Sequence, residues 1–446
     1  MNVDLVLSNT KAFIENQIVN CSIAIDKGKI SKIGSQTNMP KAEARIDLKN
    51  LLVLPGLIDA HVHLRDEGKA YKEDFCTGTA AAAAGGFTTV LDMPNNEPVT
   101  MSAETLRNRM SIAEKRILVN VGFYSEFPKK TSLIKSITHE GPVAFKLFMS
   151  QQIGGLQIDN DAAISEALRT LTRSKTLLAA HAEDHRTLKE KEVELKRAHR
   201  DDVKAFLSAH TETVETTAVS RLTKIAAKTR SHVHICHVTS EKALEAVTQA
   251  KKTRAKVSCE VTPHHLLLSR DNLMKSGFSA IMVPPLRAKQ NLNNLWTGIR
   301  SGTIDIVASD HAPHSWAEKN VASVWNVKVG IPGLETLAPL LLTEVNRGRL
   351  SIADFVRLLA HRPAEIFGLK KKGNLKKNSD ADLTVIDLGK KGVIDPSEFH
   401  SKAKYSPFDG WKVHGKPVMT FVNGRLVMVD DKIVGEAGSG RIVRKE

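Results

Sequence analysis

The chain has 446 residues, 41% of them hydrophobic and 25% charged, proportions that exclude a disordered, collagenous or small disulfide-stapled protein. Lys and Arg number 64 against 49 Asp and Glu, a formal charge of +15, but the excess is spread over helix-like stretches such as Lys189 to Arg200 and lacks the aromatic interleaving of nucleic-acid modules, so a basic surface is favoured over nucleic-acid binding. No stretch reads as a signal peptide or as the roughly 20 apolar residues that cross a bilayer, which predicts a cytoplasmic protein without membrane contact; Cys21, Cys76, Cys236 and Cys259 lie too far apart for C-x-x-C chemistry and read as reduced, mostly buried thiols.

Residues 3 to 54 alternate apolar and polar in short runs, with a turn at Asp26-Lys27-Gly28, and predict antiparallel β structure. The last seventy or so residues repeat that character, with a hairpin from Val418 to Val429 turning at Asn423-Gly424, the strongest short hairpin signal. Both ends therefore belong to one composite β-sandwich domain, 1–54 with 369–446. Between 55 and 368 short apolar strands alternate with amphipathic helices, such as Ala103 to Arg116, Thr213 to Arg230, Glu241 to Thr253 and Leu334 to Arg347. Eight strands are expected, ending near His63, Asn95, Tyr124, Phe148, Glu183, His237, His265 and His314. Eight βα units predict a TIM-type (β/α)8 barrel, whose chemistry gathers at the C-terminal strand ends.

His61 and His63 stand two apart on a strand and leave it on one face, so both can grip one ion. His181, His237 and Asp310 occupy equivalent ends of three other strands, and imidazole with carboxylate suits zinc, manganese, iron or cobalt. Lys146 sits in the apolar run Val143 to Met149, where an ammonium is costly. It requires either a buried carboxylate partner or a neutral amine that adds carbon dioxide, giving a carbamate able to bridge two cations. Cys236 and Glu260 also end strands; a further metal position there is the alternative to plain packing, which the apolar habit of free cysteine favours.

The run from Pro55 to Asp66, with its His61-Val62-His63-Leu64-Arg65, resembles the opening signature of the cyclic amidohydrolases, and among them of the dihydroorotases. Six later segments agree in order: Gly85-Gly86 with Met93-Pro94-Asn95, Phe145-Lys146-Leu147, His181-Ala182-Glu183, Cys236-His237-Val238, Glu260 to His265, and Ala308 to His314. The resemblance implies two divalent ions, zinc by preference. His61, His63 and Asp310 would hold one, His181 and His237 the other, with carbamylated Lys146 between them and Asp310 as the catalytic proton carrier. It further implies reversible cyclisation of N-carbamoyl-L-aspartate to L-dihydroorotate by a metal-bridging hydroxide, and leaves a homodimer or association with aspartate carbamoyltransferase open.

Arg65 follows His63 by two and offers a planar fork on the same side; with Asn95 and His314 it is expected to bind the substrate carboxylate. Hydantoinase, dihydropyrimidinase and allantoinase activities, which need no such group, are the alternative, and a catalytically dead scaffold a weaker one. Two departures stand out. Glu67 replaces the proline usual after Arg-Asp, which predicts a less rigid loop. Val283 precedes Pro284-Pro285 where a donor is usual, so either Arg287 or backbone amides contact the ring in its place, or ring recognition is weaker than usual. The glycines of Ser150 to Leu156 suit either a lid or an ordinary connection.

Overall fold

A computed structural model of the chain describes residues 2–253 and 256–445. The amino-terminal segment supplies β1 (Asn2–Ile14), β2 (Gln17–Asp26), β3 (Lys29–Gly34), β4 (Lys41–Asp47) and β5 (Leu52–Pro55). The barrel strands follow: β6 (Leu57–Val62), β7 (Phe87–Asp92), β8 (Asn120–Ser125), β9 (Ala144–Phe148), β10 (Leu178–His181), β11 (His232–Ile235), β12 (Lys256–Val261) and β13 (Ile306–Val307). The carboxy-terminal segment adds β14 (Leu383–Val393), β15 (Lys412–Val422), β16 (Arg425–Val429), β17 (Lys432–Ile433) and β18 (Ile442–Val443).

Strands β6 to β13 pair in sequential parallel order. His63 N donates to His311 O at 2.8 Å and Val62 bridges His311 in parallel, closing the seam between β6 and the chain after β13. Every residue of β6 to β10 is buried, as strands covered on both faces require. The intervening helices lie where the apolar spacing places them, at Ala103–Glu114, Glu212–Thr229, Glu241–Lys251 and Leu334–Asn346. Side-chain caps at Ser102, Thr211 and Ser240 start the first three by accepting backbone N–H groups, which relieves unpaired donors at the helix ends.

The two chain ends share one sheet, in the order β17-β16-β15-β14-β5-β1-β2-β3 with β4 paired to β1. Its joint is β5, parallel to β1 and antiparallel to β14. Most pairs are antiparallel, as expected; β1 with β4 and β1 with β5 are parallel, because each return to β1 crosses over instead of making a tight hairpin. The Asn423-Gly424 turn is present, both residues having positive φ (50° and 79°) and Val422 facing Arg425 across it. The tail departs from the division expected above: β18 joins the barrel, pairing in parallel with β8.

Sheet and barrel are fastened by buried polar contacts. Asp382, at the start of β14, accepts from Lys372 Nζ (2.5 Å), Asn120 Nδ2 (3.0 Å) and Asn423 N (2.8 Å), and its carbonyl accepts from Gly56 N. Burial alone would lower the Lys372 ammonium, but Asp382 and Asp380 outweigh it and hold the group above its ordinary value. Asp382→Ala removes the main counter-charge and is expected to lower stability by about 3 kcal/mol, measured by urea unfolding of the two proteins under the same conditions.

Candidate active site

The strand ends bring the expected ligands together. His61 Nε2 and His63 Nε2 each lie 3.3 Å from Asp310 Oδ1. His181 Nδ1 and His237 Nε2 face each other at 3.0 Å, and the His61 and His237 rings are 5.4 Å apart. Lys146 on β9 is fully buried; its ammonium meets the Cys236 thiol at 3.0 Å and lies 5.0 Å from the centre of the Phe148 ring. Among the described residues it forms no ion pair with a carboxylate, so the buried-pair reading of this lysine is not realised. Arg65, His237 and Asp310 all have positive φ (63°, 33° and 47°), a conformation that ordinary residues adopt at a cost and that concentrates at functional sites.

Two buried carboxylates set the orientation of the imidazoles. Glu260 on β12 accepts from His61 Nδ1 (2.5 Å) and lies 3.0 Å from His234 Nε2. Glu183 holds His181 Nε2 and His210 Nδ1, each at 2.8 Å. A carboxylate can only accept, so these contacts fix the protons on His61 Nδ1 and His181 Nε2 and leave His61 Nε2 and His181 Nδ1 as lone-pair donors turned toward the centre. Burial, reinforced by the Arg65 charge, holds His63 well below its ordinary pKa; burial and the neighbouring His181 and His61 do the same to His237. His61, His63 and Asp310 bring their donor atoms close enough to hold a divalent cation, which imidazole and carboxylate suit; His181, His237 and Lys146 line the same cavity. The reading of Cys236 as a packing group agrees with its burial in an apolar cluster, where it also touches Lys146. Glu260 does more than pack: it orients His61, and with His61 and Cys236 it forms a second group whose donor atoms are close enough to hold a cation. Glu183 and His210 were missed, although a carboxylate two residues after His181, on the same strand-end face, was a signal of the kind used for Lys146.

The same cavity, about 940 Å³, is lined by all six of these residues and by Arg65, Asn95 and His314. The Arg65 side chain is 6% exposed in relative area, donates from Nε to Pro313 O at 3.3 Å, and pairs with no carboxylate among the described residues. Asn95 Oδ1 lies 2.7 Å from His63 Nδ1, which leaves the amide N–H groups free to donate. His314 Nδ1 accepts from Lys72 Nζ at 3.1 Å, so Nε2 carries the hydrogen and donates to Val329 O at 3.0 Å. Burial, with the Arg65 and Lys72 charges, keeps this ring neutral.

The Amidohydrolase family model matches residues 52–427, which takes in the whole barrel and this constellation. The chain belongs to the amidohydrolase family. It is 39% identical over 443 residues to a dihydroorotase of Methanothermobacter thermautotrophicus, covering 99% of this chain and 98% of that protein. It is 35% identical over 446 residues to a dihydroorotase of Pyrococcus horikoshii, covering 99% and 96%. Among solved structures, the L-hydantoinase (dihydropyrimidinase) of Arthrobacter aurescens superposes with a TM-score of 0.95 at 29% identity, over 99% of this chain and 100% of that one. No helix among the described residues of this amidohydrolase is long and apolar enough to cross a membrane.

Three further expectations have structural answers. The loop at Glu67 is tethered: Asn108 Nδ2 donates to both carboxylate oxygens (2.9 and 3.2 Å), and Asp66 pairs with Arg116. Arg287 does not substitute for Val283. Its guanidinium is spent on Thr239 Oγ1 (2.8 Å), Glu215 Oε2 (3.3 Å) and the His210 carbonyl. The glycines of the 150–156 segment serve close packing, since a Cβ on Gly154 would lie 2.4 Å from Glu126 Oε2 and one on Gly155 2.2 Å from Lys129 N; Ser150 to Ile153 nevertheless line the cavity. Glu260→Gln is expected to weaken divalent-metal binding about 10- to 100-fold, read by chelator competition on the purified protein.

Proposed function

We propose that this amidohydrolase is a dihydroorotase, interconverting N-carbamoyl-L-aspartate and L-dihydroorotate in pyrimidine synthesis. The observation that carries the reading is Arg65, a buried guanidinium with no ion pair to a carboxylate among the described residues, in the same cavity as the metal donors. Leaving such a group unpaired is expensive, and a bidentate carboxylate is the ligand its fork fits. The free amide N–H groups of Asn95 add a second donor for that anionic group, and His314, whose Nε2 lies 3.2 Å from the Arg65 guanidinium, borders the same place.

His61, His63 and Asp310 would hold one zinc ion and His181 and His237 a second, with a carbamate on Lys146 between them. Cations held there supply polarisation of the ring carbonyl and acidify water. The chain's own residues do the rest. Arg65, Asn95 and His314 fix the carboxylate, which orients the ring at the metal donors. Asp310 moves the proton: of the carboxylates lining the cavity near the ligands, Glu183 is committed to two histidines and Glu318 to Lys72 and Tyr71, whereas Asp310 sits between His61 and His63. In hydrolysis it takes a proton from water and gives it to the departing amide nitrogen; in cyclisation it takes the proton from the carbamoyl nitrogen. The carbamoyl aspartate would be supplied by an aspartate carbamoyltransferase, free or bound, in the cytoplasm; light scattering of the purified chain, alone and mixed with that enzyme, tests for a homodimer and for association.

The hydantoinase reading has the structural neighbours in its favour and Arg65 against it. Dihydroorotate is expected to be turned over far better than dihydrouracil, hydantoin or allantoin; preference for a ring without a carboxylate would reject the proposal. Arg65→Met is expected to lower kcat/KM for dihydroorotate about 1000-fold, the order of cost of removing one member of a buried charge pair, while leaving metal content unchanged. Lys146→Ala is expected to abolish turnover and to lower the bound metal, measured by elemental analysis beside the assay.

A further inference from the structure

Arg65, Asn95 and His314 account for one end of a substrate. A cyclic ureide also presents N–H donors, and each donor removed from water needs an acceptor. The residue before Pro284-Pro285 is Val283, which lines the cavity with a side chain that has no polar atom, and the Arg287 side chain carries donors only; neither side chain supplies an acceptor. The search for that acceptor leads across the barrel: β10 stands four strands from β6 and three from β13 in the closed ring, opposite the seam where Arg65 and His314 lie.

The chain beyond β10 supplies His210, at the end of the short helix Val203–Ala209. The side chain lines the cavity and is held from three sides: Nδ1 lies 2.8 Å from Glu183 Oε1, the Phe206 ring packs at 4.4 Å between centres, and its own carbonyl is bound by Arg287. A carboxylate oxygen accepts, so the contact with Glu183 places a hydrogen on Nδ1, and the tautomer that carries it there leaves Nε2 as an acceptor. Nε2 has no hydrogen-bond partner among the described residues, and it is not among the sealed, unpartnered polar atoms, so it opens into the cavity.

We infer that His210 is a substrate-binding residue that recognises the ureide: its Nε2 accepts from a ureide N–H at the end of the pocket opposite Arg65. Glu183 thus has two roles, orienting a metal ligand with one oxygen and a substrate ligand with the other. The inference rests on the pocket taking a cyclic ureide, as proposed above, but not on that ureide bearing a carboxylate.

His210→Asn keeps an amide N–H at the place of Nδ1 for Glu183 and deletes the acceptor at Nε2. Its KM for dihydroorotate is expected to rise about tenfold, the loss of one hydrogen bond, with metal content equal to the parent's and with inhibition by succinate, a dicarboxylate lacking the ureide, unchanged. A parent-like KM would overturn the inference. So would loss of metal in His210→Asn, or equal weakening of succinate and dihydroorotate, since either would mean that His210 acts only through Glu183 on His181. If the parent protein preferred hydantoin or dihydrouracil, the dihydroorotase reading would fail; the same KM comparison with the preferred ring, which carries the same N–H groups, would still decide on His210.

Discussion

Two buried basic side chains with no ion pair to a carboxylate among the described residues, Lys146 and Arg65, are the constraint around which the rest of the site is arranged. A lysine on a central barrel strand and an arginine at the barrel mouth both forfeit hydration, and for Arg65 the charge of Asp310 offsets only part of that cost. The barrel accommodates them with no ion pair to a protein carboxylate among the described residues; the proposed carbamate on Lys146 and the proposed substrate carboxylate at Arg65 would supply the compensation. The general excess of +15 is a poorer guide to what the cavity would take. Much of the positive charge at the mouth is already paired, Lys72 with Glu318 and Lys196 with Glu192, so the buried guanidinium says more than the overall field.

The carboxylates are used as orienting groups. Glu260 spans His61 and His234, and Glu183 spans His181 and His210. In both cases one buried anion fixes the tautomer of a ligand and is itself satisfied by a second imidazole, which meets the cost of burying it without a competing cation near the metal donors. The same logic extends outward. Glu73 accepts from His311 Nε2 at 3.3 Å and from Ser401, and Tyr405 Oη accepts from His314 N at 3.3 Å. Ser401 and Tyr405 belong to the excursion between β14 and β15, so the composite sheet at the chain ends reaches back to support the residues around Asp310.

The barrel was legible because its strands are short apolar runs that finish on polar residues, and a TIM barrel gathers such endings at one face. The convergence of the proposed metal ligands in one cavity was legible for the same reason: His61, His63, Lys146, His181, His237 and Asp310 each break an apolar pattern. Glu260 breaks it equally in the run Lys256 to Val261, but a carboxylate whose partner is another ligand's far nitrogen leaves no trace of that partner in sequence. His210 is less legible still. It sits in an ordinary amphipathic stretch, and only the three-dimensional approach of Glu183 makes one ring nitrogen a proton carrier and the other an open acceptor. Parallel pairing of β1 with β4 and β5 escaped for a different reason, since alternation reports which face a residue takes and not the direction of its neighbour.

The likeness to the hydantoinase fold is nearly complete in backbone, with a TM-score of 0.95, so substrate choice within this architecture cannot come from the position of strands or metals. It has to come from side chains at the rim, where one residue changes the charge a pocket will accept. Arg65 lies just beyond β6 (Leu57–Val62), which carries His61, and next but one to His63; its left-handed backbone conformation, φ 63°, turns the chain at the point where the guanidinium enters the cavity. With Arg65 as the proposed carboxylate anchor, the geometry that fixes the imidazoles would also fix the distance from the metal donors to the carboxylate. Selection between charged and uncharged rings would then be a property of the reacting geometry as well as of binding, because a ring not anchored at Arg65 lacks the restraint that places its amide against the metal donors.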